Sequence, residues 1–296
     1  MKLYFESSRI QNKLETVRNT LRYIKNTNIP LPSLVEISDS GICNRVCSFC
    51  PRSDPNYKDI KEFISEDLHQ SICKQLSEYD YCGILIYAGF SEPLLNKKIY
   101  HNISVARSYL PNGIIELTTN GDALNKERLQ KLFESGLSRI LISVYDGKED
   151  EERYIKLCNS TGLKENQFLV RNRYLPAEQS YGLNLSNRGG MLKDAVHSIK
   201  PLEKSLSRPC YYPSYHFFVD YNGDVLMCCH DWGKKYILGN LNKQSLYDIW
   251  TSQLVKISRK SLVKGNRNFS PCYVCDVDGM RIGKTHAEAW KKTYKK

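Results

Sequence analysis

The sequence predicts an α/β protein built on a parallel β-sheet, and three observations support this fold class. Short strands of continuous apolar character alternate with amphipathic helices, which is typical of βα units. Polar, glycine-bearing segments follow the strands, so they are expected to meet at the carboxyl edge of the sheet. After about residue 200 the alternation stops, and cysteines, prolines and turn dipeptides take its place. This pattern allows a doubly wound open sheet or a full or partial barrel, followed by a smaller unit.

Each element has a local signal. Residues 8–26 predict a helix from apolar residues at spacings of three and four. Ser65 is the expected N-cap of a second helix, and Gly136 the expected C-cap of another. The predicted strands are residues 34–38, 83–88, 114–118, 139–144 and 167–171, with 181–186 as a sixth. The further helices are predicted at residues 97–109, 124–135 and 149–159.

The C-terminal part has a different pattern. Asn222-Gly223 is a strong turn dipeptide, and it predicts a β-hairpin over residues 215–227. A helix is expected at residues 245–261, and a domain boundary near 195–205. Residues 281–296 carry six Lys or Arg against one Glu, which predicts a solvated basic end.

Composition limits the class of protein. No apolar run approaches 18 residues, so no transmembrane helix is predicted, and the N-terminus lacks a signal peptide's apolar stretch. A cytoplasmic location follows, in which the 11 cysteines are expected to be metal ligands or free thiols. The net charge is +11, but no basic stripe is interleaved with aromatic residues, which disfavours a nucleic-acid partner.

Three cysteines form the most informative motif. Cys43, Cys47 and Cys50 have the spacing C-x3-C-x2-C, with Phe49 directly before the last of them. A cubane iron–sulfur cluster normally takes four cysteines, so this loop would leave one iron open to a substrate or cofactor. Half of a zinc site is the alternative that the spacing leaves open.

A second set of cysteines lies in the C-terminal part. Four of them complete a cluster or a zinc site, and the spacing alone allows either metal. Neighbouring cysteines on a strand point to opposite faces, so only one of Cys228 and Cys229 is expected to be a ligand. The predicted ligands are Cys210, Cys228, Cys272 and Cys275. Cys229 is then expected to face elsewhere, toward a cavity between the domains.

The first motif resembles the signature of the radical S-adenosylmethionine (SAM) enzymes. The segment from Gly89 to Pro93 resembles the family's Gly-Gly-Glu-Pro segment, although Phe90 and Ser91 replace small glycines. The resemblance implies that Gly89, Ser91 and Glu92 hold the amino group of SAM. It further implies a SAM-binding role for Phe49 near the adenine, Asn120, and Ser143 near the ribose. Arg171 lies near a strand end and is expected to pair with SAM's carboxylate or a substrate anion, since a guanidinium suits bidentate contact.

The C-terminal part resembles the SPASM or twitch extension, which carries auxiliary iron–sulfur clusters. Together the two resemblances imply a partial (β/α)6 TIM-like barrel with a small C-terminal α+β cluster-binding domain. They also imply SAM and two 4Fe–4S clusters as cofactors. The expected divisions are an N-terminal helical segment (1–33), a radical SAM core (34–200), an auxiliary cluster domain (201–280) and a basic tail (281–296).

The implied reaction starts with reductive cleavage of SAM to a 5′-deoxyadenosyl radical, which removes a hydrogen atom from a small polar metabolite such as a sugar or aminocyclitol. The auxiliary cluster then accepts an electron, which gives net oxidation. Alternatively Cys229 returns a hydrogen atom, which gives epimerisation. Arg173 and Arg188 are further candidates for contacting SAM or substrate.

The expected partners are a small-molecule substrate and an electron donor such as flavodoxin or ferredoxin, with the chain as a monomer. Two alternatives stay open at this point. One is a peptide-modifying radical SAM maturase, although few residues precede the first strand. The other is a zinc-stapled nucleic-acid-binding protein, which would hold zinc instead of iron.

Overall fold

The computed structural model describes residues 15–193 and 198–295, and its centre is an eight-stranded sheet. The strands are β1 Leu34–Ser38, β2 Ser40–Gly41, β3 Ile60–Phe63, β4 Ile84–Tyr87, β5 Ile114–Thr119, β6 Arg139–Val144, β7 Phe168–Asn172, β8 His216–Asp220, β9 Asp224–Leu226 and β10 Ile237–Asn240. The helices are α1 Glu66–Ser77, α2 Ile99–Tyr109, α3 Lys126–Glu134, α4 Lys148–Ser160, α5 Tyr212–Tyr215, α6 Leu246–Thr251, α7 Gln253–Val263 and α8 Lys284–Thr293.

The strand order is β10-β9-β8-β1-β4-β5-β6-β7. Every pair from β8 to β7 along this order is parallel, whereas β9 and β10 are antiparallel additions at one edge. Strands β2 and β3 form a separate two-stranded sheet. The α/β fold with a large parallel sheet, predicted from the sequence, is confirmed.

The two faces of the sheet differ in chemistry. On β1, Val35 and Ile37 belong to the main apolar cluster, which packs the sheet against the helices. Successive side chains of a strand point to opposite faces, so Leu34 and Glu36 lie on the other face, here called the inner face. The same alternation on β8 puts Phe217 in the main cluster and His216 on the inner face. The inner face therefore carries Glu36 and His216, whereas the same two strands contribute Val35, Ile37 and Phe217 to the apolar cluster on the other face.

Local signals for helix ends are confirmed. The Ser65 hydroxyl accepts the backbone N–H of Leu68 at 3.2 Å, as an N-cap of α1 should. Gly136 follows α3 with φ 104°, the left-handed conformation that a residue without a Cβ adopts at low cost. Asn222-Gly223 turns β8 into β9, as predicted.

The predicted strand at residues 181–186 is wrong. Ala177–Gly182 is an irregular 3-10 segment, in which Ser180 and Tyr181 have φ of 52°. The chain that follows is held by the C-terminal part instead of the sheet, since the Asp276 carboxylate accepts the backbone N–H of Asn187 at 2.9 Å. The sixth parallel strand is β8, which pairs with β1.

Two predicted helices are shorter than expected. The helix at residues 245–261 divides at Ser252, whose ψ of 154° is extended and whose hydroxyl caps α7. Residues 8–14 of the predicted N-terminal helix lie outside the described residues. Residues 15–19 are helical, but the chain then turns through Asn26 (φ 60°) to a bridge between Tyr23 and Pro30.

The C-terminal end is packed, which corrects the prediction of a solvated tail. Trp290 of α8 is buried, and its indole N–H donates to the Ser214 carbonyl at 3.1 Å. The Arg259 guanidinium lies between the rings of Trp250 and Trp290, 3.9 and 3.7 Å from their centroids. Periodic aromatic and small residues therefore bury one side of a helix whose other side carries the lysines.

Strand β8 belongs to the C-terminal part in sequence and to the main sheet in structure. The division into domains at residues 200 and 201 stays a prediction. Within the described ranges, the helices are all too short or too polar to cross a membrane.

Candidate active site

The three cysteines of the first motif lie on one loop at the carboxyl edge of the sheet. This loop follows β2, and the backbone N–H of Cys50 donates to the Cys47 carbonyl at 2.9 Å, which closes a turn between the two. Burial raises the pKa of Cys47 to about 12, and the nearby thiols of Cys50 and Cys43 raise it further. Burial also raises the pKa of Cys43 and of Cys50. Three thiols that would repel one another as thiolates are thus held together.

Two residues inside the motif anchor the loop. The Arg45 side chain donates through Nε to Asp122 Oδ2 at 2.7 Å and through Nη1 to Asp146 Oδ1 at 2.9 Å. The Asn44 amide donates to the same Asp122 oxygen at 2.7 Å. These aspartates follow β5 and β6, so the loop is tied to two strand ends. The sequence analysis missed Arg45 and Asp122, because only the fold brings them together.

Glu92 is buried, with 3% of its surface exposed, and its carboxylate joins two strand ends. Its oxygens accept hydrogen bonds from the Thr119 hydroxyl and the Asn120 backbone N–H, each at 2.7 Å, and from the Leu94 N–H at 3.0 Å. Burial raises the pKa of Glu92, and these donors lower it again in part. The carboxylate therefore positions the segments after β4 and β5 relative to each other.

Asn120 connects Glu92 to the cysteine loop. Its side-chain amide donates to Asn44 Oδ1 at 2.7 Å and lies 3.9 Å from the Cys43 sulfur. Two of the predicted cofactor residues are thus assembled beside the first cysteine. A side-chain amide next to a thiolate is the kind of outer contact that tunes a metal ligand.

Gly89 and Ser91 lie on the same loop as Glu92. Gly89 has φ of 82°, and a Cβ there would lie 2.8 Å from the Ser38 Cβ, so a larger residue would displace β1. The Ser91 hydroxyl donates to Asp39 Oδ1 at 3.1 Å, so Ser91 is engaged with a buried carboxyl group. Asp39 was not singled out in the sequence analysis, because a lone aspartate after a strand carries no signal of burial.

Asp39 has an unusual environment. It is fully buried directly after β1, and the Asn96 amide donates to its second oxygen at 3.0 Å. Burial, opposed by the hydrogen bonds from Asn96 and Ser91, raises the pKa of Asp39 to about 7. The folded protein therefore holds a proton at Asp39 that the unfolded chain releases near pH 4.

The raised pKa of Asp39 predicts a pH-dependent stability. The favourable contribution of the protonated group is complete below about pH 4 and is lost as the pH rises through about 7. Asp39→Asn, which mimics the protonated acid, is expected to raise the melting temperature relative to wild type more at pH 8 than at pH 5. A difference of about 2–4 °C corresponds to about 1 kcal/mol in a chain of this size.

Anaerobic thermal unfolding of both proteins at the two pH values checks this prediction. Asp67→Asn, which replaces an exposed aspartate in the first turn of α1, is the control. An Asp39→Asn effect that is equal at pH 5 and pH 8 would contradict the assignment.

Phe49 is buried in an aromatic group. Its ring stacks on Tyr145 at 6.0 Å with an interplanar angle of 16°, and it meets Tyr181 at 5.0 Å. These rings line a cavity of about 480 Å³, together with Cys47 and Arg173. The cavity is large enough for a nucleoside and opens next to the cysteine loop. The sequence analysis missed Tyr145, although it directly follows a predicted strand, and Tyr181, which it assigns to the start of the incorrect strand 181–186.

The three candidate arginines have different partners. Arg171 Nη2 donates to the Ser143 hydroxyl at 3.1 Å, which brings two predicted cofactor residues together. Arg173 donates to the backbone carbonyls of Asn172 and Gly182. Arg188 is close enough to lower the pKa of both Cys50 and Asp276, so it lies between the first cysteine loop and the C-terminal part.

The second set of cysteines also converges. The pKa of Cys228 is raised by burial and by the neighbouring thiols of Cys229, Cys272, Cys275 and Cys210. Burial raises the pKa of Cys275 to about 11, with a further contribution from Cys210. Four predicted ligands from three separate segments therefore lie within electrostatic reach of one another.

Cys229 belongs to a different group. Its sulfur, a ring nitrogen of His216 and a carboxylate oxygen of Glu36 lie within 4.8 Å of one another. Both cysteines lie in the turn after β9 and not on a strand as predicted, and this turn puts Cys228 among the thiols and Cys229 at the inner face. This placement favours Cys228 over Cys229 as the ligand of the second set.

The residues present fit two cysteine-bound clusters. The first set offers three thiols and no fourth protein sulfur in the motif, whereas the second set offers four. A Cβ on Gly279 would lie 2.2 Å from the Cys210 sulfur, so this glycine leaves the space that the sulfur needs. Thiols whose pKa is raised by mutual repulsion are stabilised as thiolates when they bind a cationic metal centre.

Comparison with known proteins agrees with this chemistry. The radical SAM superfamily matches residues 37–169, and the iron–sulfur cluster-binding SPASM domain matches residues 210–287. The S-adenosyl-L-methionine-dependent 2-deoxy-scyllo-inosamine dehydrogenase of Niallia circulans is 30% identical over 247 residues, which are 82% of this chain and 92% of that relative.

Solved structures are similar as well. The crystal structure of BtrN in complex with AdoMet and 2-DOIA is 27% identical, has a TM-score of 0.71, and is matched over 87% of this chain and 98% of that chain. Native anSMEcpe with bound AdoMet is 14% identical with a TM-score of 0.50, over 88% of this chain and 96% of that chain, which shows the fold alone.

The two matched domains account for both cysteine sets, and the similarity extends over most of the chain. The chain therefore belongs to the radical SAM superfamily, as an oxidoreductase that uses S-adenosylmethionine and two 4Fe–4S clusters, one of them in a C-terminal SPASM domain.

Proposed function

We propose that this enzyme oxidises a secondary alcohol of an aminocyclitol to a carbonyl group. The observation that carries the proposal is the second, complete set of four cysteines, which the chain has in addition to the three thiols of the first set. A dehydrogenase needs an electron acceptor close to its substrate, and a four-cysteine cluster site supplies one. The identity of 30% to an aminocyclitol dehydrogenase over 92% of its length supports the same reaction class.

The SAM-binding cluster would be held by Cys43, Cys47 and Cys50. When bound, the cluster and SAM would together supply the carbon-centred radical that removes one hydrogen atom from the substrate. The protein's part is to place that hydrogen at contact distance and to exclude competing groups. The double anchor from Arg45 to Asp122 and Asp146 holds the loop in place for this purpose.

The SAM site would be built from residues at the carboxyl ends of β4 to β7, next to the cysteine loop and to the cavity that Phe49 lines. We assign Glu92, Gly89 and Asn120 to the methionine end, because they adjoin the open side of the cysteine loop. Ser143 and Arg171 would serve the ribose and carboxylate side, and the Phe49 ring the adenine. Among the residues assigned to the SAM site, Ser91 would contact SAM least directly, because its hydroxyl donates to Asp39.

The substrate would bind between the two cysteine sets. Net oxidation of an alcohol removes a hydrogen atom, an electron and a proton, and Cys210, Cys228, Cys272 and Cys275 would hold the group that takes the electron. Arg188 is the side chain best placed to orient a substrate oxygen, because its charge acts on Cys50 and on Asp276. A guanidinium group can donate a hydrogen bond to a hydroxyl or carbonyl oxygen.

A small electron-transfer protein such as flavodoxin or ferredoxin would reduce the SAM-binding cluster. The loop offers it a contact, because Val46, directly before Cys47, is 73% exposed. We propose that the protein is a monomer and that it is located in the cytoplasm. Peptide modification and nucleic-acid binding through zinc are less favoured, because neither accounts for the similarity to a small-molecule dehydrogenase.

Anaerobic turnover with deuterated 2-deoxy-scyllo-inosamine and related aminocyclitols tests the proposal. We expect deuterium from one labelled carbon to appear in 5′-deoxyadenosine, together with one equivalent of ketone. Solvent deuterium at that carbon of an otherwise unoxidised product would indicate epimerisation and would overturn the oxidation. Failure of every aminocyclitol to transfer deuterium, with SAM cleavage intact, would overturn the substrate class.

A further inference from the structure

The inner face of the sheet carries a group of three metal-binding side chains outside both cysteine sets. Glu36 comes from β1, His216 from the neighbouring strand β8, and Cys229 from the turn after β9. One ligand atom from each lies within 4.8 Å of the others. Neither family domain nor the proposed oxidation assigns a role to this trio, here called the inner-face triad.

His216 is the most informative member. Only 3% of its surface is exposed, and its Nε2 lies 3.0 Å from Glu36 Oε2. That distance is typical of an ion pair, yet neither ring nitrogen of His216 has a hydrogen bond of acceptable geometry. A buried imidazole without hydrogen bonds is costly. The His216 nitrogen and the Glu36 oxygen are thus close to each other without the alignment of a hydrogen bond. This arrangement is expected when both atoms point at a third atom, such as a metal ion.

The negative charges that Glu36 and Cys229 carry when ionised favour a cation between the members of the inner-face triad. The Glu36 side chain is only 12% exposed, and its Oε2 faces His216 Nε2 at 3.0 Å. Buried charged groups are paired or coordinate metals, and this carboxylate has an imidazole and a thiol beside it. A divalent ion bound by this carboxylate, the Cys229 thiolate and neutral His216 makes the group neutral overall.

We propose that Glu36, His216 and Cys229 bind one zinc ion. A thiolate disfavours Mg²⁺ and Ca²⁺, whereas the combination of sulfur, imidazole and carboxylate suits Zn²⁺. Three protein ligands leave the fourth tetrahedral position for water or for an oxygen or nitrogen of a bound molecule. The site is distinct from the four-cysteine set, although Cys228 and Cys229 are adjacent in sequence.

The site has a consequence that rests on the proposed function. A zinc-bound thiolate carries no S–H hydrogen, so Cys229 would not return a hydrogen atom to a substrate radical. This disfavours epimerisation and leaves oxidation. The ligand class for the open position would then be a hydroxyl or amine of the aminocyclitol, which a zinc ion binds and polarises.

Metal analysis of the full-length, anaerobically reconstituted enzyme tests the site without requiring turnover. After removal of loosely bound metal with a chelator, we expect about one zinc per chain alongside about eight irons. Zinc X-ray absorption is expected to show one sulfur at about 2.3 Å and nitrogen or oxygen ligands at about 2.0–2.1 Å. Cys229→Ala and His216→Leu are expected to lose the zinc and keep the iron.

Two further variants make the test decisive. Cys82→Ala, which removes a cysteine outside both sets and the triad, is expected to keep both metals. Zinc that is absent from wild type, or that is lost in Cys272→Ala and retained in Cys229→Ala, would overturn the proposal. Iron content and visible absorption report whether each variant is folded. Because the readout is zinc content, a failure here is separate from a failure to oxidise an aminocyclitol.

Discussion

Replacing Cys47 with alanine is expected to abolish SAM cleavage, to below about one thousandth of the wild-type rate. The motif supplies three thiols, and burial together with the nearby thiols of Cys50 and Cys43 raises the pKa of Cys47. With two thiols left, no cluster with a single open iron can be held in the loop. The iron content should fall from about eight to about four per chain, since the second set is untouched.

The measurement is 5′-deoxyadenosine formed per enzyme under chemical reduction, alongside iron analysis. Cys82→Ala is the matched control, because it removes a cysteine at the opposite end of β4 from the active-site loops. Substantial SAM cleavage by Cys47→Ala would contradict the assignment of the first cysteine set.

Cys272→Ala is expected to separate SAM cleavage from substrate oxidation. The pKa of Cys272 is raised by burial and by Cys210 and Cys275, which identifies it as a member of the second set. Loss of this thiol should remove about four irons and lower ketone formation by at least about a hundredfold. SAM cleavage should continue, because the first set lies on another loop.

The adjacent cysteines provide a matched pair for the same experiment. Cys228→Ala is expected to behave like Cys272→Ala, because its thiol lies among the other three. Cys229→Ala is expected to keep all the iron, because its thiol lies beside Glu36 and His216. Loss of iron in Cys229→Ala but not in Cys228→Ala would reverse the ligand assignment.

Much of the fold follows from local signals in the sequence. Strand β6 has the predicted bounds, because six residues of mostly apolar character between polar segments have few alternatives. The N-cap at Ser65 and the left-handed Gly136 depend on residues within one turn of them, and both were predictable. The cysteine motif is equally local, since its spacing alone brings three thiols to one loop.

The pairing of segments that are distant in the sequence was harder to predict from the sequence alone. Residues 181–186 have the apolar alternation of an edge strand, but hydrogen bonds from Asn187 to Asp276 and Val274 hold the following chain against the C-terminal part. Strand β8 takes the sixth position because its central residues are apolar enough to be buried against β1. Which of two candidate strands pairs with a sheet edge depends on all their other contacts.

Sequence-based prediction of the active-site residues meets the same limit, because some of them depend on contacts between distant segments. Sequence reasoning named Glu92, Asn120 and Ser143, which follow strands as the family pattern requires. It missed Asp39 and Arg45, whose roles depend on partners more than fifty residues away. It also described the C-terminal lysines as solvated, although Trp290 in the same segment packs on Arg259.

By itself, the sequence determined the fold class, the two cysteine sets and the family, because each depends on spacing or periodicity along the chain. Only the tertiary structure decided that Cys228 and Cys229 belong to different groups, and that Glu36, His216 and Cys229 meet at the inner face. The physical reason is that Glu36 and His216 lie on paired neighbouring strands, and the turn after β9 brings Cys229 to them. What each face meets is set by the strands paired beside it, and that pairing joins segments about 180 residues apart.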